Sequence, residues 1–379
     1  MRRAPAASAR RTAATAGAAL LTIAAGAFGA RAADLSDDQL ARTPRERLCC
    51  SFGYGLSAAM PPIPLTLHLT NMTSPETVAP HSYVSKGSLQ EVGELLAETY
   101  GLAYTCRGGF VDVAHVSDFA DWTAYLSLRI RRAGSNPAPM VFPCDAGTAH
   151  LAVHALAPAD TPKALARSLA LAQRIAYQLS VVHEITSWYD VSTFSAISEK
   201  VSSFSPEDNY SNLLGTYVGR DAVLDGRPYD ESVTAAIRAA LLRLGVVSIA
   251  DTRAAFDRTD GAWWDRTKIL PDPNVTKRRN LDWGPTRVAP WRVAEPPAVC
   301  GESAKDGAEV LEVPSVDPVT GAPLASLYDL ELHMDRTRLP KGFPFPRESS
   351  VLAPTDLPAL VEAVRGEIQR EYGPDADKP

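Results

Sequence analysis

The residue types best suited to chemistry lie on the core-facing stripe of a predicted helix over residues 110–131. Residues three and four positions apart share one face of a helix, and this face carries Asp112, His115, Phe119, Trp122 and Leu126. The stripe is apolar toward its C-terminal end, whereas an acid and a histidine three residues apart occupy its N-terminal end. Helix bundles build metal sites from pairs at this spacing.

A second stripe, on a predicted helix over residues 162–189, becomes polar at a histidine in the same way. It runs through Leu165, Leu169, Ala172, Ala176, Leu179, His183, Thr186 and Asp190. If the two stripes pack antiparallel, Asp112, His115 and His183 converge, and Glu184 flanks them from the next face. These three side chains would hold Zn²⁺ or another divalent metal with one position open for water, and Glu184 would act as the general base.

The two histidines also have a simpler interpretation. His-Glu on a helix is part of the zinc-protease signature, but Ser187 stands where that signature requires a second histidine. A histidine on an apolar face is commonly a core residue bonded to a nearby polar group, here Asp112, Asp118 or Thr186. Both interpretations predict that His115 and His183 face the interior.

The cysteines suggest a second chemistry. Cys106 lies at the N-terminal end of the helix that carries His115, and a helix N-terminus lowers the pKa of a thiol, so a Cys/His nucleophile is one interpretation. The alternative is a disulfide, which an exported chain favours. The other cysteines are Cys49, Cys50, Cys144 and Cys300. We expect two disulfides and one free thiol with the pairing open, and expect Cys49 or Cys50 to attach the N-terminal segment to the body.

Two further groups of residues could bind ligands. His150 and His154 share one side of a predicted strand and form a rival metal pair, although exposed histidines are the commoner explanation. The Pro-rich segment 261–297 contains four tryptophans, which either stack on the sugar rings of cell-wall glycan or fix the segment to the body: Trp263, Trp264, Trp283 and Trp291.

The stretch 204–215 is densely polar at the start of a predicted helix. Ser205 as N-cap and Asp208 as the partner in a capping box explain its first residues. The next polar side chains, at residues 210–212, have no such structural explanation. They could line a polar pocket.

The first 32 residues are predicted to be a signal peptide. A basic segment is followed by an apolar segment over residues 13–29 and by the small-x-small site Ala30-Arg31-Ala32, so we expect cleavage after Ala32. Arg10-Arg11 before the apolar segment leaves both the Sec and the twin-arginine routes open. The apolar segment is too short to favour a retained membrane span.

Composition excludes several classes of partner. The chain has 379 residues, 45% of them hydrophobic and 22% charged, which is typical of a globular protein with a sizeable core. Its net charge is −6. The signal segment contains five arginines and no acid, so its removal makes the mature chain more acidic. An acidic chain without a basic block favours neither nucleic acid nor anionic lipid as a partner.

The predicted elements divide the mature chain into two parts. Residues 33–260 form a main helical domain with the candidate site, and residues 261–379 form a Pro/Trp-rich arm, a hairpin and a C-terminal helix that pack on it. Strands are predicted at 63–69, 141–156, 310–314 and 324–334, and further helices at 88–100, 205–217, 230–244, 251–256 and 356–372. The predicted fold class is α+β, predominantly helical, with a helix-packed core and a small peripheral antiparallel sheet.

Several of these stretches together resemble a family of exported bacterial proteins that contain a domain of unknown function. The resemblance is carried by CRGGFVDVAHVSDFADWTAY at 106–125, HEITSWYD at 183–190, FSPEDNYSNLLG at 204–215 and the opening CCSFGY at 49–54. It covers roughly residues 47–291. It implies a shared architecture and supplies no activity.

The sequence therefore supports three hypotheses of function. The first is an exported, periplasmic or extracellular, metal-dependent hydrolase that acts on a cell-wall or lipid-derived substrate, with Asp112, His115 and His183 as metal ligands. The second is a non-enzymatic envelope protein that binds glycan or a protein partner. The third is a Cys/His hydrolase that uses Cys106. None of them involves nucleic acid or a membrane span after cleavage.

Overall fold

The computed structural model describes residues 35–47, 51–60, 63–69, 72–88, 100–134, 138–154, 161–191, 198–347 and 350–379. The predicted signal peptide, most of the predicted helix over 88–100, and the pair Cys49 and Cys50 lie outside the described residues. The described elements make an α+β fold that is predominantly helical, as the sequence predicts.

Helices form the core and surround the candidate site. In chain order they are α1 (Asp37–Leu40), α2 (Val113–Ala133), α3 (Pro162–Trp188), α4 (Asp208–Asp225), α5 (Tyr229–Arg243), α6 (Ile249–Thr259) and α7 (Ala353–Tyr372). Helices α2, α3 and α4 pack on one another and are buried along most of their length. No described helix is both long and apolar enough to cross a bilayer.

The long helix α3 has its start fixed by local sequence. The hydroxyl of Thr161 accepts a hydrogen bond from the Ala164 amide at 3.1 Å, and Pro162 occupies the first turn, where its missing N–H costs nothing. The helix then continues for 27 residues, about 40 Å at 1.5 Å per residue. The helix predicted over 162–189 is confirmed.

Two glycines allow α4 to pack closely on α2. A Cβ at Gly215 would lie 2.6 Å from the carbonyl oxygen of Val116, and a Cβ at Gly219 would lie 2.4 Å from that of Ala120. The two glycines are four residues apart and so share one face of α4. This close approach brings the first turn of α4 next to the first turns of α2.

The largest sheet is antiparallel and four-stranded, and its strands lie in the order Ser350–Leu352, Tyr328–Met334, Gly147–Val153 and Met140–Cys144. Its strands are β5 (Met140–Cys144), β6 (Gly147–Val153), β10 (Tyr328–Met334) and β11 (Ser350–Leu352). The extended segment predicted from residue 141, with its turn at residues 145–147, is therefore confirmed up to residue 153.

The smaller sheets are formed by short strands. They are β1 (Leu56–Met60) with β2 (Ile63–Leu69) and β7 (Ile269–Leu270), β3 (Leu102–Thr105) with β4 (Gly109–Asp112), and β8 (Arg287–Val288) with β9 (Leu311–Glu312). The hairpin expected between 310–314 and 324–334 is wrong. Strand β9 pairs with β8 and strand β10 pairs with β6 and β11, because both find partners distant in sequence.

The start of the first predicted helix also needs correction. Residues 110–112 belong to β4, which forms a hairpin with β3 through a turn at Gly108-Gly109, and Gly109 has a positive φ of 63°. Helix α2 begins at Val113. Asp112 is its N-cap, and its carboxylate accepts the Ala114 amide at 2.7 Å.

The Trp-rich arm packs on the body through its aromatic rings. Trp264 is fully buried, Trp263 is 6% exposed, and the half-buried Trp291 packs on Trp263 with ring centroids 5.8 Å apart. Trp283 is half-buried against the core. Of the two interpretations of these tryptophans, the burial of Trp263 and Trp264 favours the one in which they fix the segment to the body.

Candidate metal centre

Three helices bring one histidine and two carboxylates together in the core. His115 lies in the first turn of α2, Glu184 near the end of α3, and Asp208 at the start of α4. Each offers a ligand atom within 4.8 Å of the ligand atoms of the other two. The side chains are buried, with exposures of 4%, 2% and 0%.

The Glu184 carboxylate is held in place by two donors. Its Oε2 accepts the amide of Phe204 at 2.7 Å, and its Oε1 accepts the side-chain amide of Asn212 at 3.3 Å. Phe204 has a positive φ of 52°, which is uncommon for a side-chain-bearing residue. Backbone strain of this kind tends to concentrate at functional sites.

Asp208 is oriented by the turn that precedes α4. Its Oδ2 accepts the Ser205 amide at 2.5 Å and the Ser205 hydroxyl at 3.2 Å. The expected contact between these residues is present, but the helix begins at Asp208 and its N-cap is Glu207, so Ser205 as N-cap is wrong. The other oxygen, Oδ1, remains available to face the histidine.

His115 lies between two carboxylates. Its Nδ1 is 3.2 Å from Oδ1 of Asp208 and 3.7 Å from Oδ2 of Asp112. Asp112 and His115 are thus close, as predicted, although Asp112 reaches the ring from the strand end that precedes the helix. We call the set Asp112, Glu184, Glu207 and Asp208 the carboxylate cluster.

The surroundings of the carboxylate cluster do not fully stabilise its carboxyl groups as anions. Burial, and then the neighbouring Asp208, raise the pKa of Glu184 to about 8. Burial, Asp208 and Asp112 raise the pKa of Glu207 well above its ordinary value. Within the described residues, Oδ1 of Asp208 makes no hydrogen bond beyond its ion-pair contact with Nδ1 of His115, and neither oxygen of Glu207 accepts one. Buried acceptors of this kind are uncommon in native proteins and mark a place where a cation or donor fits.

A small cavity of about 50 Å³ reaches one side of this cluster. His115 lies in its wall, together with the apolar side chains of Phe119 and Trp122 and the polar side chains of Asp145 and His183. A cavity of this size has room for a few water molecules. His115 therefore connects the buried carboxylates with a space that water can enter.

His183 faces a different partner from the one predicted. Its Nδ1 is 2.8 Å from Oδ2 of Asp145, which also accepts the hydroxyl of Thr186 at 3.2 Å. Burial alone would lower the pKa of His183, but the Asp145 carboxylate raises it well above its ordinary value. The described group with metal-ligand spacing contains Glu184 where the sequence prediction had His183.

Cys106 forms a disulfide with Cys300, and both are buried. A cysteine in a disulfide has no thiolate, so the Cys/His hydrolase that uses Cys106 is wrong. The described residues leave Cys144 as a free thiol, and burial, followed by Asp145, raises its pKa to about 12. Pairing of Cys49 and Cys50 lies outside the described residues.

The rival histidine pair separates on the sheet surface. Nε2 of His154 is 2.8 Å from the Asp329 carboxylate, whereas His150 stacks on His333 with ring centroids 4.1 Å apart. The described groups with metal-ligand spacing do not include this pair.

Asp208 is the site residue that sequence reasoning assigned to another role. A capping role by itself explains an aspartate at this position of the sequence. The signal was present in the spacing: Asp208 and Asn212 are four residues apart, share one face of α4, and are both fully buried. Capping residues at an exposed helix start do not need such burial.

Fold and site together define a mainly helical α+β protein with a buried histidine–carboxylate centre beside a small cavity. Comparison with known families identifies its family. Residues 38–292 match the family described as Protein of unknown function (DUF4056), and the chain belongs to that family. The matched range includes the whole carboxylate cluster and His115. No curated protein and no solved structure matches the chain.

Proposed function

We propose that this chain is a metal-dependent hydrolase that holds a divalent ion on His115, Glu184 and Asp208. The observation that carries the proposal is the convergence of one imidazole and two carboxylates within 4.8 Å in the core. Buried carboxylates that outnumber the cations beside them are unfavourable, and a divalent ion removes that cost. One nitrogen and several oxygens form a donor set that suits Zn²⁺, Mn²⁺ or Fe²⁺.

A bound divalent ion of this kind would lower the pKa of a coordinated water and polarise a substrate carbonyl or phosphoryl group. The cavity at His115 admits water and the small end of a substrate, and the apolar rings of Phe119 and Trp122 limit the water around it. Glu184, expected from the sequence as the general base, is a ligand in this proposal. His183 and Asp145 line the cavity and can hydrogen-bond to the group that enters it.

Location and substrate are the broader part of the proposal. The signal-like N-terminus supports export, and the buried Cys106–Cys300 disulfide is typical of an oxidising compartment. We therefore propose an envelope location and a cell-wall or lipid-derived substrate with an ester, phosphoester or amide group.

The test begins with the metal content of the mature protein, purified without added chelator. We expect stoichiometric metal in the wild type, and its loss in His115→Ala and Asp208→Asn. His154→Ala is the matched control, because it removes a histidine that lies outside the cluster. Hydrolysis of a panel of esters, phosphoesters and amides should then stop on chelation and return with the metal. Wild-type protein without metal would contradict the proposal.

Burial of the ligands favours a second candidate, a non-enzymatic envelope protein with a structural ion. Glu184 and Asp208 are almost completely enclosed, and of the three ligands His115 alone lines the cavity. Such a protein would bind glycan or a protein partner elsewhere on its surface. Mn²⁺ loading separates the candidates: a catalytic ion with an exchangeable water enhances the relaxation of bulk water protons, whereas a sealed ion raises stability without this enhancement.

A further inference from the structure

We propose that the side-chain amide of Asn212 is a fourth protein ligand of the ion, bound through its oxygen, and that the ion is an octahedral one such as Mn²⁺ or Fe²⁺. The inference rests on the ion site of the proposed function and deepens it, because it names a further ligand and the class of ion. Asn212 is fully buried on the face of α4 that also carries Asp208, one turn earlier.

The ligand oxygens that are open to an ion lead to Asn212. Oε2 of Glu184 accepts the Phe204 amide at 2.7 Å, which leaves Oε1 for an ion. In the same way, donors from the turn before α4 occupy Oδ2 of Asp208, and Oδ1 faces His115 at 3.2 Å. Oε1 of Glu184 lies 3.3 Å from Nδ2 of Asn212. The end of the Asn212 side chain is therefore next to the oxygen that the ion would use.

The distance of 3.3 Å between Asn212 and Glu184 suits two ligands of one ion. It is slightly longer than the usual N–H···O separation of about 2.7–3.2 Å. Two oxygens that bind one ion at about 2.0–2.2 Å are separated by about 3 Å when they occupy adjacent positions. An amide nitrogen at this place would direct its hydrogens toward the cation, which is unfavourable. A half-turn about the Cβ–Cγ bond exchanges the two ends of the amide and brings Oδ1 to the ion.

The oxygen of Asn212 also lacks a partner without the ion. Oδ1 is enclosed and accepts no hydrogen bond among the described residues. The oxygen of Asn209, which is likewise fully buried on α4, is in the same state, but Nδ2 of Asn209 donates to the carbonyl of Asn280 at 2.6 Å. That carbonyl fixes the orientation of the Asn209 amide. The Asn212 amide is held by Glu184, and an ion bound to Glu184 would replace this hydrogen bond.

A fourth protein ligand narrows the identity of the ion. With His115, Glu184, Asp208 and Asn212 bound, the donor set consists of one nitrogen and three oxygens. Four protein ligands complete the tetrahedron that Zn²⁺ prefers and leave no position for the water that a hydrolytic ion activates. An octahedral ion such as Mn²⁺ or Fe²⁺ accepts this oxygen-rich set and retains positions for water.

The first experiment titrates the full mature chain with Mn²⁺ and follows the electron paramagnetic resonance of the unbound ion. We expect Asn212→Leu to bind Mn²⁺ at least about tenfold more weakly than the wild type, since a change in even a supporting residue of a metal site typically costs this much. Asn212→Asp retains an oxygen ligand and should bind at least as tightly as the wild type. Asn209→Leu is the matched control, because it removes an equally buried amide from the same helix, and it should keep the wild-type affinity.

The second experiment does not depend on the folding of a variant. Wild-type protein that contains asparagine labelled with ¹³C at Cγ is loaded with Mn²⁺ and measured by electron–nuclear double resonance. A labelled carbon two bonds from the ion should give a resolved ¹³C coupling, and unlabelled protein should give none.

The outcomes separate this inference from the proposed function. Weaker binding in Asn212→Leu that Asn212→Asp restores, together with the ¹³C coupling, supports the ligand role. Weaker binding in both variants without the coupling means that Asn212 only donates to Glu184, which overturns the ligand role and leaves the proposed function intact. Wild-type affinity in Asn212→Leu has the same consequence. Where a variant does not fold, the coupling decides. A wild type that binds no ion overturns both proposals.

Discussion

Helix α2 carries two buried groups of charged side chains that differ in how their charges are matched. The first, which we call the Arg47 cluster, consists of Arg47, His81, Asp118 and Asp121. One guanidinium nitrogen of Arg47 lies 2.9 Å from Asp118 and 2.8 Å from Asp121, and His81 lies 2.9 Å from the other oxygen of Asp121. The second is the carboxylate cluster around His115, one turn toward the N-terminus.

In the Arg47 cluster every carboxylate oxygen accepts a hydrogen bond. Asp118 accepts the backbone amide and the side chain of Arg47, and Asp121 accepts Arg47, His81 and the hydroxyl of Tyr229. In the carboxylate cluster, neither oxygen of Glu207 has a donor among the described residues, and Oδ1 of Asp208 faces only the imidazole of His115 at 3.2 Å. The comparison teaches that burial of charge alone does not mark a site. A site is indicated where the protein leaves buried charge for something else to match.

Removing Arg47 should produce the largest effect. Its side chain is fully buried, so Arg47→Met leaves the carboxylates of Asp118 and Asp121 without their cation. A buried pair broken on one side typically costs about 3–5 kcal/mol of unfolding free energy. Urea denaturation monitored by circular dichroism measures it. Lys305→Met, which breaks an exposed pair with Glu302, is the control and should change little. A loss no greater than that of the control would contradict the structural role of this cluster.

Neutralising a residue of the carboxylate cluster should increase the stability of metal-free protein, whereas Arg47→Met decreases it. Glu184→Gln removes a charge whose burial is unfavourable, while it weakens the hydrogen bonds from Phe204 and Asn212. We expect about 1–3 kcal/mol of stabilisation at pH 8 in the presence of chelator. With metal added, the same variant should be less stable than the wild type, because it binds the ion less well. Destabilisation under both conditions would show that the cluster is already matched without an ion.

The pH dependence of stability should also have opposite signs in the two clusters. The pKa of Glu184 is raised to about 8, so between its ordinary value near 4.3 and pH 8 the unfolded state loses the proton first, and stability falls as pH rises. Burial alone would raise the pKa of Asp121, but His81 and Arg47 lower it. Its contribution is therefore present above its ordinary pKa, near 3.9, and is lost as pH decreases through the lower folded value.

The difference between wild type and Glu184→Gln across pH 5–8, in chelated protein, isolates the first of these contributions. Its slope can reach about 1.4 kcal/mol per pH unit for a single group. Asp121→Asn should instead show a penalty that shrinks as the pH falls below 4. A flat difference curve for Glu184→Gln would mean that this carboxyl does not hold its proton more tightly in the folded state.

Elements with strong periodicity could be predicted from the sequence. The stripe from Leu165 to Asp190 predicted α3 almost to its last residue, and alternating residues predicted β6 and the turn before it. The hairpin of β3 and β4 was missed, because the short apolar run before Val113 fits a strand or a helix equally well. The pairing of β6 with β10 joins segments more than 170 residues apart, and local pattern contains no information about such contacts.

The site could be predicted only in part for a geometric reason. His183 and Glu184 are consecutive, so their side chains leave α3 about 100° apart. Which of them faces His115 depends on the rotation of α3 against α2 and α4. The sequence correctly placed a histidine of α2 in the interior. It could not show that α4 would bring Asp208 to His115, or that Asp145 would form a hydrogen bond with His183.

The smallest effect is expected where neither cluster is involved. His154 and Asp329 form an ion pair at 2.8 Å, as close as those in the Arg47 cluster, but their side chains are 47% and 73% exposed. Water and salt screen such a pair, so Asp329→Asn should cost about 0.5 kcal/mol or less, and the cost should disappear at high ionic strength. Urea denaturation at low and high salt measures this change. A cost near that of Arg47→Met would mean that proximity of charges, and not the unmatched burial on which the metal proposal depends, governs these energies.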